Sequence, residues 1–446
     1  MIASLRPHQV WPALVCSFWI GCGAPPSTER RQPSAAAPSA GMAAIAPPAA
    51  AAAGSGGAAT PDFGTKLDGG VVTVTDPCAD GGCKEPETRV PDDDGFTVAE
   101  GDCDDFAVLV NPGAYDVPNN GIDEDCDGSD AKSDSCDDAL ELAASDPLLA
   151  ARAIELCQVS EENSKRWGVI SARWTTPDGE GKPGDARMHG LLPGFGPSFA
   201  PRAGKSLLAI SSGVARAPGQ MGYTRDCSDT FPITGDFPKG FDGTSSTCDL
   251  EDAATTIEDA IALELRVRMP TNVSALSFDS AFFTDEYPAY ICTPFNDFFQ
   301  VIVEPMRSGG TPDGNVVFDR DGNAVSVNNS LLGVCAPGRH GDKQFTCPQG
   351  FEPLIGTGFE DCAFSLVTPS GFSGILGRDE KYGAATGWLN TEFAVKPGEI
   401  VTLRFSIWDS GDSSLDSLAI IDHVRFRFRD APPPPEKPMT MPVGPQ

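Results

Sequence analysis

The sequence predicts a mainly β protein: an antiparallel β-sandwich with a short N-terminal helix, preceded by a small Asp-rich module stapled by metal and disulfides and by a disordered linker. Three observations predict it. Beyond Trp167, short runs of alternating apolar and polar residues are broken by Gly and Pro, the mark of half-buried strands. Between Pro91 and Asp134, carboxylates crowd around two cysteines in DDDGFTVAEGDCDD and then NNGIDEDCDGSDAKSD. Residues 23–75 are mostly Ala, Pro, Gly and Ser with hardly an aromatic, a composition that buries too little apolar surface to offset the entropy of ordering.

Taken in order, residues 1–22 predict an export signal: Arg6 supplies positive charge, Val10 to Ile20 the apolar stretch, and Gly21 a small residue before Cys22. This resembles a bacterial lipoprotein lipobox. The resemblance implies cleavage before Cys22, lipidation of that cysteine, and an outer-membrane or cell-surface lipoprotein that touches the membrane only through its lipid; the alternative is an ordinary secretory signal and a secreted protein. Residues 23–75 would be the tether. The acidic module occupies 76–138, with few apolar residues, chiefly Phe96, Phe106, Val108, Leu109, Val110 and Tyr115, so metal and disulfides are needed to hold it. Ser145 then reads as an N-cap and Asp146-Pro147 as a first turn. Leu148, Leu149, Ala153, Ile154 and Leu156 supply the apolar helix face.

The sandwich is assigned to 139–430. Leu263, Leu265 and Val267 alternate with Glu264, Arg266 and Arg268; Val401, Leu403, Phe405 and Ile407 alternate with Thr402, Arg404 and Ser406; Val424, Phe426 and Phe428 alternate with Arg425, Arg427 and Arg429. Each run predicts one face in a core and one in water. Residues 431–446 are Pro-rich and predict polyproline II or disorder.

The chain has 446 residues, a formal net charge of -31 and a pI near 4.3. Such acidity argues against nucleic acid and anionic lipid headgroups as partners, since both need a basic surface. Cations and an unidentified surface ligand, protein or glycan, are the expected partners. Cys16 and Cys22 fall in the signal, leaving twelve cysteines from Cys78 to Cys362, an even set for an oxidising compartment. Sequence neighbours suggest Cys78 with Cys83, Cys103 with Cys126, Cys136 with Cys157, Cys227 with Cys248, and Cys347 with Cys362.

The second acidic run places Asp123, Asp125, Asp127, Gly128 and Asp134 at the spacing of an EF-hand calcium loop, with Asp in the closing position. Alternate carboxylates can converge on one hard cation, and the glycine permits the turn. Asp92, Asp94, Asp102 and Asp104 are assigned to another, less complete site. The alternative is a solvated acidic linker. This stretch resembles the MopE-like metal-binding motif of secreted bacterial proteins, through DDDG at 92–95, GDCDD at 101–105, NPGA at 111–114 and DCDG at 125–128. The resemblance implies metal binding. Although that family is associated with copper, the stretch has no His or Met, so the donor set favours calcium and makes copper the less suitable ion.

From about Asp146 to Phe428 the chain resembles the choice-of-anchor L domain, a β-rich module of exported surface proteins. DPLLAARAIELC, LLAISSGVAR, FDSAFFTDEYPAYICTPFNDFFQVIVE and the segment from WLNTEFAV to IIDHVRF carry the resemblance. It implies display and adhesion, without a reaction. Within this region Asp285, Glu286, Asn296, Asp297, Asp409, Asp412 and Asp416 sit at apparent strand ends. They are candidates for a second calcium site, or for turns in which Asx groups cap local amides.

No catalytic arrangement stands out: His189, His340 and His423 lie in no HExxH motif and near no GxSxG elbow. The stripe Arg425, Arg427, Arg429 predicts cross-strand ion pairs, with binding of an anionic polymer as the alternative. The sequence therefore predicts a non-catalytic surface binding, adhesion or display protein with a calcium-stabilised module. Metal scavenging, of copper or another ion, and a hydrolase built on the sandwich are the alternatives.

Overall fold

The computed structural model describes residues 92–444, apart from 134, 183, 226, 242, 244–247, 249–255, 341–342 and 361–380. Cys22, Cys78, Cys83, Asp134 and Cys362 therefore lie outside the described residues. The strands are β1 Gly168–Thr175, β2 His189–Leu192, β3 Leu207–Ser211, β4 Ile257–Arg268, β5 Val273–Thr284, β6 Phe298–Glu304 and β7 Gly338–His340. There follow β8 Lys343–Phe345, β9 Ala384–Ala385, β10 Leu389–Ala394, β11 Ile400–Ser410, β12 Ser417–Phe428 and β13 Met439–Pro442. A short α-helix, α1 Pro147–Arg152, precedes them.

Two antiparallel sheets form the sandwich. One has the order β1-β4-β11-β6; the other runs β13-β10-β5-β12-β3-β2, with β9 on β5. The alternation in β4 and β11 works as the sequence predicts. Leu263 pairs with Phe405 and Leu265 with Leu403 across the ladder, and all four enter one core with Leu276, Phe278 and Ile421 of the facing sheet. Phe278 and Phe405 meet edge to face at 5.4 Å between centroids, a favoured aromatic geometry. On the other face of β4, Glu264 takes Arg404 Nη2 at 2.6 Å and Arg173 Nε at 2.7 Å.

Three expectations need correction. The larger sheet does not leave one face in water: Ala281, Phe283, Leu418 and Ile420 pack beneath Phe195, Phe199, Val334, Leu354 and Phe359 in a second core. Long connections supply that cover, which alternation within a strand cannot reveal. The Pro-rich tail contains β13, an edge strand in register with β10 from Leu389↔Pro442 to Glu392↔Met439; proline is tolerated because an edge strand leaves one side unpaired. Finally, the N-cap is Asp146, whose carboxylate accepts from Leu148 N at 3.0 Å. The helix closes at Arg152, and Ala153, Ile154 and Leu156 are buried just beyond it.

Cys103–Cys126 and Cys136–Cys157 form as neighbour pairing suggests. Two other pairings are wrong. Cys248 joins Cys292 rather than Cys227, and Cys347 joins Cys335 rather than Cys362. Spatial proximity overrides sequence order in both cases. In the second, the β7–β8 hairpin, with Gly338 opposite Phe345, brings its two flanks together.

Candidate metal centre

The acidic module is built on Asx turns. Asp92 Oδ1 accepts from Asp94 N at 3.2 Å, Asp94 Oδ1 from Phe96 N at 2.8 Å, and Asp102 Oδ1 from Asp104 N at 3.0 Å. One oxygen of each carboxylate is thereby fixed to the backbone two residues on, the local bonding for which Asp is favoured in turns. The other oxygen of each, Oδ2, is buried without a hydrogen-bond partner. Asp92, Asp94 and Asp102 each bring one oxygen within 4.8 Å of the others. Asp104, assigned to this site, stands outside the group and turns to Phe106 N at 3.4 Å.

A second group unites Asp116, Asp123 and Asp125 on the same criterion of 4.8 Å. Asp123 accepts from Asp127 N at 3.0 Å and Gly128 N at 2.9 Å, the tight turn for which Gly128, at φ 103°, is suited. Asp116 binds Ala131 N through Oδ2 at 2.7 Å and leaves Oδ1 buried and unpartnered. Sequence spacing missed Asp116, which lies seven places before the loop and belongs to no EF-hand position. Asp127 is exposed and accepts from Ser129 N at 2.9 Å, outside the group. Asp134 is outside the described residues.

The Cys103–Cys126 disulfide joins the residues next to Asp102 and Asp125, coupling the two groups covalently. Electrostatics inside them is adverse. Burial, then Asp92 and Asp102, pushes Asp94 up to about 6, and burial followed by Glu124 does the same for Asp116. Burial likewise raises Asp102 and Asp125, with neighbouring carboxylates adding to it. A cation among these oxygens would relieve both the desolvation and the repulsion. Among the described residues the available donors are oxygens, because Cys103, Cys126 and Cys136 are disulfide-bonded.

The module is docked on the sandwich. Tyr115 N donates to Asn272 Oδ1 and Asn272 Nδ2 donates back to Tyr115 O, both at 2.9 Å. Thr271 Oγ1 donates to buried Asn111 Oδ1 at 2.7 Å. Tyr115 packs against Trp167, Phe426 and Phe428 with centroids 5.3 to 6.1 Å apart, so the partly polar strand end predicted from Val424–Phe428 is the module's seat.

The other predicted set sits at one end of the sandwich. Asp285 and Glu286 follow β5, Asn296 and Asp297 precede β6, Asp409 ends β11 and Asp416 precedes β12; all six are buried. Asp285 N donates to Asp416 O at 3.2 Å, and Asp297 N to Glu286 Oε2 at 3.1 Å. Burial, and then neighbouring carboxylates, hold Asp285, Asp297, Asp409 and Asp416 well above the usual range; burial does so for Glu286, with Asp409 and Asp412 adding to it. Asp412 is set apart, half-buried and bonded to Ser414 N at 3.0 Å as an Asx turn. Asp259, which sequence reasoning missed, bulges from β4 at φ 46° and is pushed up to about 7 by burial.

The arginine stripe is largely paired. Arg425 meets Asp279 at 3.1 Å, Arg427 is joined to Glu392 of β10, and Arg429 donates to Thr271 O at 3.5 Å. His423, at φ 57° in a β12 bulge, places Nδ1 3.2 Å from Asp279. Among the described residues no helix is long and apolar enough to cross a membrane.

Comparison with known families gives two matches. The Cu-binding MopE family, described as a putative metal-binding motif, matches residues 102–131, which covers the disulfide and the Asp116 group. The choice-of-anchor L domain family matches residues 204–427, from the turn before β3 to the end of β12. No curated protein and no solved structure matches the chain.

Proposed function

Because this chain belongs to the choice-of-anchor L domain family, we propose that it is an exported, non-catalytic surface protein whose sandwich binds or displays and whose acidic module holds calcium. The single observation that carries the metal reading is the trio of unpartnered buried oxygens on Asp92, Asp94 and Asp102. Three turns spend one oxygen each on the backbone and leave the other without a partner, and the three carboxylates each bring an oxygen within 4.8 Å of the others. Hard oxygen donors suit calcium, whereas copper prefers imidazole, thiolate or thioether ligands. Among the described residues of the module none of these is free.

Calcium would act there as a structural ion, since a module with so little core gains its order from ligand and disulfides. Its bonds to Thr271 and Asn272 carry that order to the β4–β5 turn of the sandwich. Residues 1–75 would supply lipidated Cys22 and a tether. The disulfides agree with an oxidising compartment outside the cytosol.

Equilibrium dialysis of the chelator-treated full chain against calcium and copper in competition tests the reading. Retained calcium, with protease resistance of the module restored, is expected. Copper retained against excess calcium would make the protein a copper scavenger, and retention of neither would leave the module without a metal role.

A further inference from the structure

A cavity of about 350 Å³ lies between the loop that follows β6, the turn from β10 to β11 and the Pro-rich segment that precedes β13, and its volume is that of a small-molecule site. Pro305, Met306, Val395, Pro435 and Pro438 give it apolar walls. Arg307, Lys396 and Lys437 set three cations against two carboxylates, Glu399 and Glu436. On a chain of net charge -31 this local reversal favours an anion. The walls are packed on each other: a Cβ added at Gly309, which has φ 70°, would stand 2.5 Å from Lys437 Cβ.

Arg307 is the group that selects the ligand. Its side chain is 9% exposed, and the guanidinium lies over the Phe393 ring at 6.0 Å from the centroid. Nη1 donates to Glu399 Oε1 at 2.7 Å and to Ala394 O at 3.4 Å. Both of those residues line the cavity together with Arg307, so the guanidinium stands in its wall. The plain alternative is a clamp, in which the ion pair with Glu399 fastens the β6 loop to the start of β11. That role uses Nη1 alone. Nε and Nη2 are buried without a hydrogen-bond partner, and a guanidinium, unlike a carboxylate, cannot shed its charge to escape the deficit.

We propose that this cavity binds a small organic carboxylate with an apolar body, held by Arg307 through Nε and Nη2. These two nitrogens form the edge of a guanidinium that meets both oxygens of a carboxylate in parallel hydrogen bonds. Lys396 and Lys437, both exposed, add the attracting field. Inorganic phosphate would satisfy the charges but leave the proline and methionine walls uncovered, whereas an apolar body gains from burying them. The site does not depend on the calcium reading of the acidic module.

Ligand-observed NMR titration of the full chain in calcium-free buffer tests it, with hexanoate as the probe and hexanamide and inorganic phosphate beside it. Saturable binding of hexanoate is expected, with hexanamide and phosphate each weaker by about tenfold or more. Arg307→Met/Glu399→Gln, which removes both charges of the ion pair and keeps the volume, should abolish hexanoate binding. Should that variant fail to fold, Met306→Trp decides: Met306 is 58% exposed and lines the cavity, so the indole fills the space at little cost to the fold and should likewise abolish binding. No binding of hexanoate by the wild type, equal binding of hexanamide, tighter binding of phosphate, or hexanoate binding unchanged in a folded variant would each overturn the proposal.

Discussion

His189 gives the fold a specific acid lability. It opens β2, stacks on Trp174 with ring centroids 4.1 Å apart and an interplanar angle of 13°, and buries Nδ1 without a partner. Burial, and secondarily Arg216, pushes its pKa down to about 4, against 6.5 for the free side chain. Above pH 6.5 both folded and unfolded chains carry it neutral, and its contribution to stability is complete. As pH falls below 6.5 the unfolded chain takes a proton that the folded chain refuses until about 4, so stability is lost across that window. The full displacement is worth roughly 3 kcal/mol, of which roughly 2 kcal/mol is gone by about pH 5. Buried carboxylates such as Glu155, pushed up to about 9, act in the opposite sense, so the wild type alone is not diagnostic. The perturbation is His189→Phe, which keeps the stack and removes the titration. Urea unfolding of both proteins at pH 7.5 and pH 5 should show their stability difference shifting by about 2 kcal/mol in favour of the variant at the lower pH. A difference independent of pH would refute the reasoning.

Two further outcomes follow from packing and charge. Phe278→Ala removes the ring that meets Phe405 between the sheets and should cost about 3–5 kcal/mol in urea unfolding; a loss below about 1 kcal/mol would mean the sheets do not share that core. Arg404→Leu leaves buried Glu264 with only the half-exposed Arg173, for a cost of about 3 kcal/mol. Glu264→Gln/Arg404→Leu should cost less than the single change in the same assay, and a larger loss would contradict the account.

The legible parts of this fold were those written in local periodicity. β4 and β11 are plain because their alternation holds over the whole strand and one face meets a core. β13 was hidden because its pairing partner β10 lies some fifty residues away and its composition resembles a disordered tail. The second core was hidden for a related reason: Phe195, Phe199 and Phe359 sit in irregular connections, where no period marks a buried face. In the metal centre, the DDDG and GDCDD blocks pointed to Asp92, Asp94 and Asp102 together with Asp104, which the fold leaves out; the Asx turns that hold the three are seen only in the structure. Asp116 entered only by tertiary folding, as did Cys292 and Cys335 into their disulfides. The strand-end carboxylates could be picked out by position, but only the fold revealed that they are buried together.

The central claim is that the acidic module is a cation site. Calorimetric titration of calcium into the chelator-treated full chain, beside the Asp94→Asn/Asp102→Asn variant, tests it most directly. A saturable binding event that the wild type shows and the variant lacks, any binding at the Asp116 group being common to both, is predicted; the same isotherm from both proteins, or no binding by either, would contradict it.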